Sequence, residues 1–163
     1  MDNIITGPND YGHIKIARIL DDNECAHILF KIQADMISIS MIYCSCPPLK
    51  GKCMKHLFKK MIEYITEHHR GNIDHMNVEL FVSPEYQEGV REETAIAKLK
   101  THYRKYGFEN DPSSADLTEY MITTIGHIKS RSPMTKKTRG GNPGMSPTNT
   151  RKVRVGGGGQ KFN

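Results

Sequence analysis

Long apolar runs, an export signal and acidic residues near the C-terminus are what this chain of 163 residues lacks. No stretch reaches the ~18 consecutive apolar residues that a membrane span needs, and the N-terminus does not begin with the basic-then-apolar pattern of a secretory signal. We therefore expect an intracellular protein, cytoplasmic or nuclear, that does not enter a membrane. The length fits one domain whose core can fold without disulfides or metals.

The C-terminal region is basic and contains no acid. Residues 130–163 hold eight Lys and Arg residues, so the rest of the chain keeps 15 basic and 18 acidic residues, a net charge near −3. The region is rich in glycine and has too few large apolar groups to offset the entropy of ordering it. We expect residues 1–128 to form a domain and residues 129–163 a flexible, disordered tail that contacts nucleic acid or partner protein subunits through its charge.

The hydrophobic periodicity predicts a mixed α+β domain. Alternating apolar residues predict strands over residues 12–20, 26–33 and 36–43, joined by short connections as a three-stranded antiparallel meander. Apolar residues at intervals of three and four predict a helix ending near His69 and a second helix over residues 92–106. Strands over residues 75–82 and 117–125 follow these helices. The order is three strands, helix, strand, helix, strand and then tail, which favours an α+β or α/β fold with a mixed sheet.

Three of the four cysteines lie close together in the sequence. Together with a histidine they offer a complete tetrahedral ligand set for a structural zinc ion, namely Cys44, Cys46, Cys53 and His56. This clustering favours thiols or a metal over disulfides, and the isolated Cys25 has no predicted role. The set resembles a SWIM-type zinc finger, which would make the protein a zinc-binding interaction module. Buried free thiols, which behave as small hydrophobes, are the other interpretation.

The end of the second predicted helix carries a recognisable motif. Residues 103–109 read Tyr-Arg-Lys-Tyr-Gly-Phe-Glu. With the order of elements, this motif resembles the GNAT family of acyl-CoA N-acyltransferases over residues 12–126. In that family the strand after the cofactor-binding helix splays away to admit the pantetheine arm, and a tyrosine four residues before a Gly-Phe pair often protonates the CoA thiolate. The resemblance implies that Tyr103 is the catalytic acid and that acetyl-CoA donates its acetyl group to an amine, whose identity the sequence does not give.

The turn before the first predicted helix is the implied cofactor site. A helix N-terminus presents free N–H groups to a diphosphate. The resemblance assigns this role to Lys50, Gly51, Lys52, Cys53, Met54 and Lys55. Cys53 and Lys55 stand where the family usually has small residues, and residues 1–11 are too few for the helices that shape the family's acceptor site. These departures suggest an alternative, a non-catalytic structural or assembly protein that reuses a GNAT-like body.

Overall fold

The computed structural model describes residues 2–47, 52–84, 88–112 and 119–131, together with the strand residues 154–155 and 158–159. The elements in chain order are β1 (Asp2–Thr6), β2 (His13–Leu20), β3 (Asn23–Gln33), β4 (Met36–Cys44), α1 (Cys53–His68), β5 (Asn77–Phe81), α2 (Glu92–Arg104), β6 (Glu109–Asn110), β7 (Tyr120–Thr124), α3 (Ile125–Ser130), β8 (Arg154–Val155) and β9 (Gly158–Gly159). The predicted mixed α+β fold is confirmed.

Seven strands form one sheet in the order β1-β2-β3-β4-β5-β7-β6. Strands β2, β3 and β4 form the predicted antiparallel meander, and β4 and β5 are a parallel pair. The β2–β3 turn is a two-residue hairpin loop in which Asp21 and Asp22 both have positive φ, 53° and 63°, as the right-handed twist of the strands favours. The parallel pair requires a long crossover, and α1 provides it.

Three elements of the domain were not predicted. Strand β1 pairs antiparallel with β2, but all its residues are exposed and it therefore shows no apolar alternation. Strand β6 has only two residues. Helix α3 begins at Ile125, which the sequence had placed at the end of a strand, because the Thr124 side chain accepts a hydrogen bond of 3.2 Å from the His127 N–H and caps the helix.

The core lies between one face of the sheet and the two longer helices. Helix α1 packs against β2, β3 and β4 with its predicted apolar stripe. The Phe58 ring, fully buried, lies 4.8 Å from the Tyr106 ring and 5.9 Å from the Phe108 ring, so α1 also packs against the segment that ends α2. These contacts fix the start of α1 and the end of α2 beside each other at the same edge of the core.

Most of the predicted tail lies outside the described residues. Its described parts are residues 129–131, which include the end of α3, and the short antiparallel pair of β8 and β9. None of the helices in the described ranges has the length and apolar composition of a membrane span.

Candidate functional site

The parallel strands β4 and β5 part halfway along β4. Within the described residues, their pairing runs from Met36 opposite Asn77 to Ile39 opposite Leu80, whereas β4 continues to Cys44. On its other side β4 remains paired with β3, but the register shifts after Ile39, so that residue 40 is an extra residue in β4. Such a bulge bends a strand locally. The last residues of β4 therefore diverge from β5.

A cavity of about 740 Å³ opens where the two strands part. The end of β4 contributes Ile42 and Cys44 to its wall, and the first turn of α1 contributes Met54. Helix α2 forms the opposite side with His102 and Tyr103 among its lining residues. The site thus brings together the end of β4, the first turn of α1 and helix α2. The sequence analysis had placed these elements at one site only through the resemblance to a family.

Tyr103 lies on the buried side of α2 and lines this cavity. Its side chain is 5% exposed, and its ring lies 5.8 Å from that of Phe108. Burial, followed by the nearby Cys44 sulfur, raises the pKa of Tyr103 to about 12. The hydroxyl is therefore protonated at neutral pH and can donate a proton or a hydrogen bond into the cavity.

The N-terminus of α1 is suited to binding an anion. Lys52 is the N-cap residue, its side chain makes no capping hydrogen bond, and the first turn contains no acidic residue. The first-turn N–H groups and the helix dipole therefore favour a negative ligand. Of the predicted loop residues, Lys52 is exposed, Lys55 is half-buried and Met54 reaches the cavity, whereas Lys50 and Gly51 lie outside the described residues.

Cys53 faces inward rather than toward the space in front of the helix. Its side chain is fully buried and belongs to the hydrophobic core. The hydrogen bond from Cys44 lowers the pKa of Cys53, and the charge of Arg18 acts in the same direction. The same contact, together with burial, raises the pKa of Cys44. The cysteine that replaces a small residue of the family motif consequently leaves the helix N-terminus open.

The predicted preference for thiols or a metal over disulfides was wrong for two cysteines. Cys25 and Cys46 form a disulfide bond, and Cys44 and Cys53 are free. The disulfide arises because β3 and the end of β4 are neighbours, with the Ser45 N–H donating to the Cys25 carbonyl at 2.8 Å. Spacing along the sequence does not reveal this pairing, since Cys25 lies on a different strand from the cysteine cluster.

The proposed zinc set of Cys44, Cys46, Cys53 and His56 does not form. The Cys46 sulfur is bonded to Cys25, and the Nε2 atom of His56 lies 3.0 Å from Oδ1 of Asn3. Within the described ranges, no group of three or more His, Cys, Asp or Glu side chains is arranged to hold a metal ion. The zinc-finger interpretation is therefore not supported.

Sequence reasoning missed Arg18, a charged residue at a core position. It follows Ile14 and Ile16 on the same face of β2, is only 7% exposed, and its Nε has no hydrogen-bond partner among the described residues. It lies opposite Ala26 of β3, which in turn lies opposite Cys44 of β4. An arginine at an apolar position of a strand was the available signal, because a buried charge requires a partner.

Two further titratable residues were also missed. His102 lines the cavity beside Tyr103, and burial lowers its pKa, so its imidazole is uncharged near neutral pH and able to accept a proton. Glu79 lies on the sheet face opposite the core, where burial and a hydrogen bond with Asp111 raise its pKa. Neither residue belongs to a motif, so only the fold reveals its position.

Comparisons with known proteins identify the fold. No family model matches the chain, and no curated protein matches it in sequence. A putative acetyltransferase of the GNAT family from Desulfovibrio desulfuricans superposes with a TM-score of 0.50 at 9% identity, over 70% of this chain and 70% of that protein. PaiA N-acetyltransferase from Thermoplasma acidophilum in complex with coenzyme A gives a TM-score of 0.49 at 14% identity, over 69% of this chain and 61% of that one.

A third solved structure is similar over almost its whole length. The anti-CRISPR protein AcrVA5 gives a TM-score of 0.49 at 18% identity, over 69% of this chain and 99% of that one. The match to PaiA, in contrast, spans less than two thirds of that enzyme. At such identities a structural likeness bears on the fold alone. This protein has the fold of the GNAT acyl-CoA N-acyltransferases.

Proposed function

We propose that this protein is an N-acetyltransferase that moves an acetyl group from acetyl-CoA to an amine. One observation carries the proposal: β4 and β5 part onto a cavity that lies between the N-terminus of α1 and the protonated hydroxyl of Tyr103. A helix end suited to a diphosphate, a slot between strands and an acid at its inner wall would serve the binding of CoA and the departure of its thiolate. The GNAT-like fold supports the same assignment.

The described residues fit a CoA molecule. The cavity of about 740 Å³ falls within the roughly 300–1,000 Å³ of typical small-molecule sites. The N–H groups of the first turn of α1 would hold the diphosphate, with Lys52 and Lys55 adding positive charge. The Cys53 side chain does not compete for this space, because it is fully buried in the core. Lys50 and Gly51 remain predicted contributors.

The chemistry falls mainly to Tyr103. The neutral amine attacks the carbonyl carbon of the bound thioester, a C–N bond forms, the C–S bond breaks, and the proton that the nitrogen loses passes to water. The Tyr103 hydroxyl donates its proton to the departing sulfur, and its pKa of about 12 ensures that the proton is present at physiological pH. The edge of β4 that has left β5 offers backbone N–H and C=O groups to the amide-containing arm of the substrate.

Two measurements test the proposal. Calorimetry with CoA and acetyl-CoA comes first, and absence of binding at about millimolar concentration would remove the enzyme hypothesis, since working affinities are stronger than this. The second measures CoA thiol release with a panel of primary amines. Positioned general acids contribute about 10²–10⁴-fold in rate, so we expect Tyr103→Phe to lower kcat by about 100-fold or more. Its affinity for CoA should change little.

Tyr106→Phe is the matched control. Tyr106 follows α2, is also buried and also has its pKa raised to about 12, but it packs on Phe58 and is absent from the cavity lining. It therefore loses the same atom in a similar environment outside the cavity lining, and phenylalanine keeps the ring that lies 5.9 Å from the His102 ring. Equal activity of the two variants would contradict the assigned role of Tyr103.

A further inference from the structure

Helix α2 presents a histidine to the cavity next to Tyr103. His102 is one of the lining residues, and its side chain is partly buried. Lys98, four residues earlier, and Lys105, three residues later, lie on the same side of the helix and also line the cavity. The imidazole therefore stands between two positive charges, on a wall that a bound molecule would touch.

Aromatic packing holds this imidazole in place. The His102 ring lies 5.9 Å from the Tyr106 ring at an interplanar angle of 67°, which is an edge-to-face arrangement. Tyr106 in turn packs on Phe58 of α1, with 4.8 Å between the ring centroids. The histidine is thus connected through one ring to the buried core, which limits the positions that its ring nitrogens can take.

The imidazole of His102 is uncharged at neutral pH for two reasons. Burial lowers its pKa, and the charge of Lys105 acts in the same direction. A neutral imidazole has one ring nitrogen with a free lone pair, which can accept a proton. The side chain is therefore in the state that a general base requires.

The other side chains of the cavity wall are less suited to this role. Among the described residues that line the cavity there is no carboxylate. Tyr103 keeps its proton, because burial raises its pKa to about 12, and Lys98 and Lys105 carry positive charges. Histidine is the residue type whose ordinary charge change falls nearest to neutral pH. His102 is consequently the side chain of this wall best able to take up a proton and release it again.

The acid and the base occupy adjoining positions of α2. Since His102 and Tyr103 are consecutive, their side chains leave the helix in directions about 100° apart. Both nevertheless line the same cavity. After an amine has added to a thioester, the nitrogen and the sulfur are bonded to one carbon and lie on different sides of it. An acid and a base that approach from different directions suit this step, in which the sulfur gains a proton and the nitrogen loses one.

We propose that His102 is the general base of the acetyl transfer and acts together with Tyr103, an inference that rests on the proposed function. The amine nitrogen attacks the carbonyl carbon, and as the C–N bond forms its proton passes through water to a ring nitrogen of His102. The C–S bond then breaks, and the sulfur takes the proton of the Tyr103 hydroxyl. The His102 imidazolium returns its proton through water to the Tyr103 phenolate. One proton has left the amine, one has joined the CoA sulfur, and both side chains are restored.

His102→Gln tests this role in the full-length protein. Glutamine is polar and of similar size, but it takes up no proton near neutral pH. A positioned base contributes about 10²–10⁴-fold in rate, so we expect kcat for acetylation of a primary amine to fall about 100-fold or more. The affinity for CoA in calorimetry should change little, because the imidazole acts on the amine.

His68→Gln is the matched control. His68 also lies on a helix beside a tyrosine four positions away, with its ring stacked 4.0 Å from that of Tyr64, but it is not among the described residues that line the cavity. Its replacement should leave kcat unchanged. An equal loss of activity in the two variants would overturn the assignment.

His102→Ala separates base catalysis from a loss of packing. Added imidazole can enter the space that the side chain leaves and accept the proton in its place. We therefore expect the acetylated amine, measured by mass spectrometry, to increase with imidazole concentration for His102→Ala but not for Tyr103→Phe.

Two kinds of failure can be told apart. If wild type acetylates an amine while His102→Gln is equally active, or while imidazole does not restore His102→Ala, the role of His102 is overturned and the proposed function stands. If wild type acetylates no amine of the panel, the proposed function fails and this inference fails with it.

Discussion

His56 makes the stability of the domain sensitive to mild acid. Its imidazole lies on the first turns of α1, with Nε2 3.0 Å from Asn3 Oδ1 of β1. Burial, reinforced by the charge of Arg18, lowers its pKa from 6.5 to about 4. The folded protein therefore keeps His56 neutral in a pH range in which the unfolded chain takes up a proton, so acid favours unfolding. The loss begins as the pH falls below 6.5 and is complete below about 4.

The size of the effect follows from the shift. A displacement of one pKa unit corresponds to about 1.4 kcal/mol, so lowering the pH from about 7.5 to about 5 would cost about 2 kcal/mol if the whole shift acted on stability. His56 is half-buried, and solvent screening reduces this to about 1 kcal/mol. In a domain of this size the melting temperature should fall by a few degrees as a result, about 3–5 °C.

Urea unfolding at the two pH values tests this on wild type and on His56→Gln. Glutamine does not titrate and can still donate to Asn3, so the variant should lose about 1 kcal/mol less than wild type between the two conditions. Comparing the two proteins cancels the titration of carboxylates, which is common to both. If both lose the same free energy of unfolding, His56 is not held neutral by its surroundings, and the argument is refuted.

Three further predictions concern the disulfide bond, the hydrophobic core and the C-terminal residues. Replacing Cys25 and Cys46 together by alanine should lower the free energy of unfolding by about 3 kcal/mol in urea titration, because the disulfide closes a loop with a sequence separation of 21; no loss would show that the bond is absent in solution. Phe58→Ala should cost about 3–5 kcal/mol since this ring is fully buried, whereas Phe81→Ala, at a ring 44% exposed, should cost clearly less. Deleting residues 132–163 should leave the melting temperature nearly unchanged and abolish salt-sensitive binding to a polyanion such as heparin. A large drop in melting temperature would contradict the prediction that these residues do not pack on the domain.

The sequence predicted those elements whose burial repeats regularly. Helix α1 and strand β4 each bury one side, and the positions of their apolar residues reveal this directly. Strand β1 has no such pattern, because Ile4 and Ile5 are both about half exposed and only its pairing with β2 defines it. The start of α3 depends on a threonine cap within a run of apolar residues, which looks like a strand.

The site could be predicted only in part, because some of its contacts depend on how the strands pair. The sequence predicted a place for Tyr103 in the site beside α1 only through the family resemblance, which rests on the order of elements and on the motif that ends α2. The bond between Cys25 and Cys46 depends on the register between β3 and β4, including the shift after Ile39, and no linear pattern encodes that register. The position of Arg18 relative to the cysteines likewise becomes apparent only from the pairing of the neighbouring strands.

The parting of β4 from β5 also has a consequence for how the domain assembles. The first four strands are joined by short connections, residues 7–12, 21–22 and 34–35, so their pairings close short loops. Strand β5 can meet β4 only after the chain has passed through α1. The cavity lies at the boundary between two parts of the domain. One is the locally connected unit of the first four strands, whose pairings close early, and the other is built from β5 and α2. A molecule that fills the cavity touches both parts, and it would therefore stabilise the domain against local unfolding in which the two parts separate.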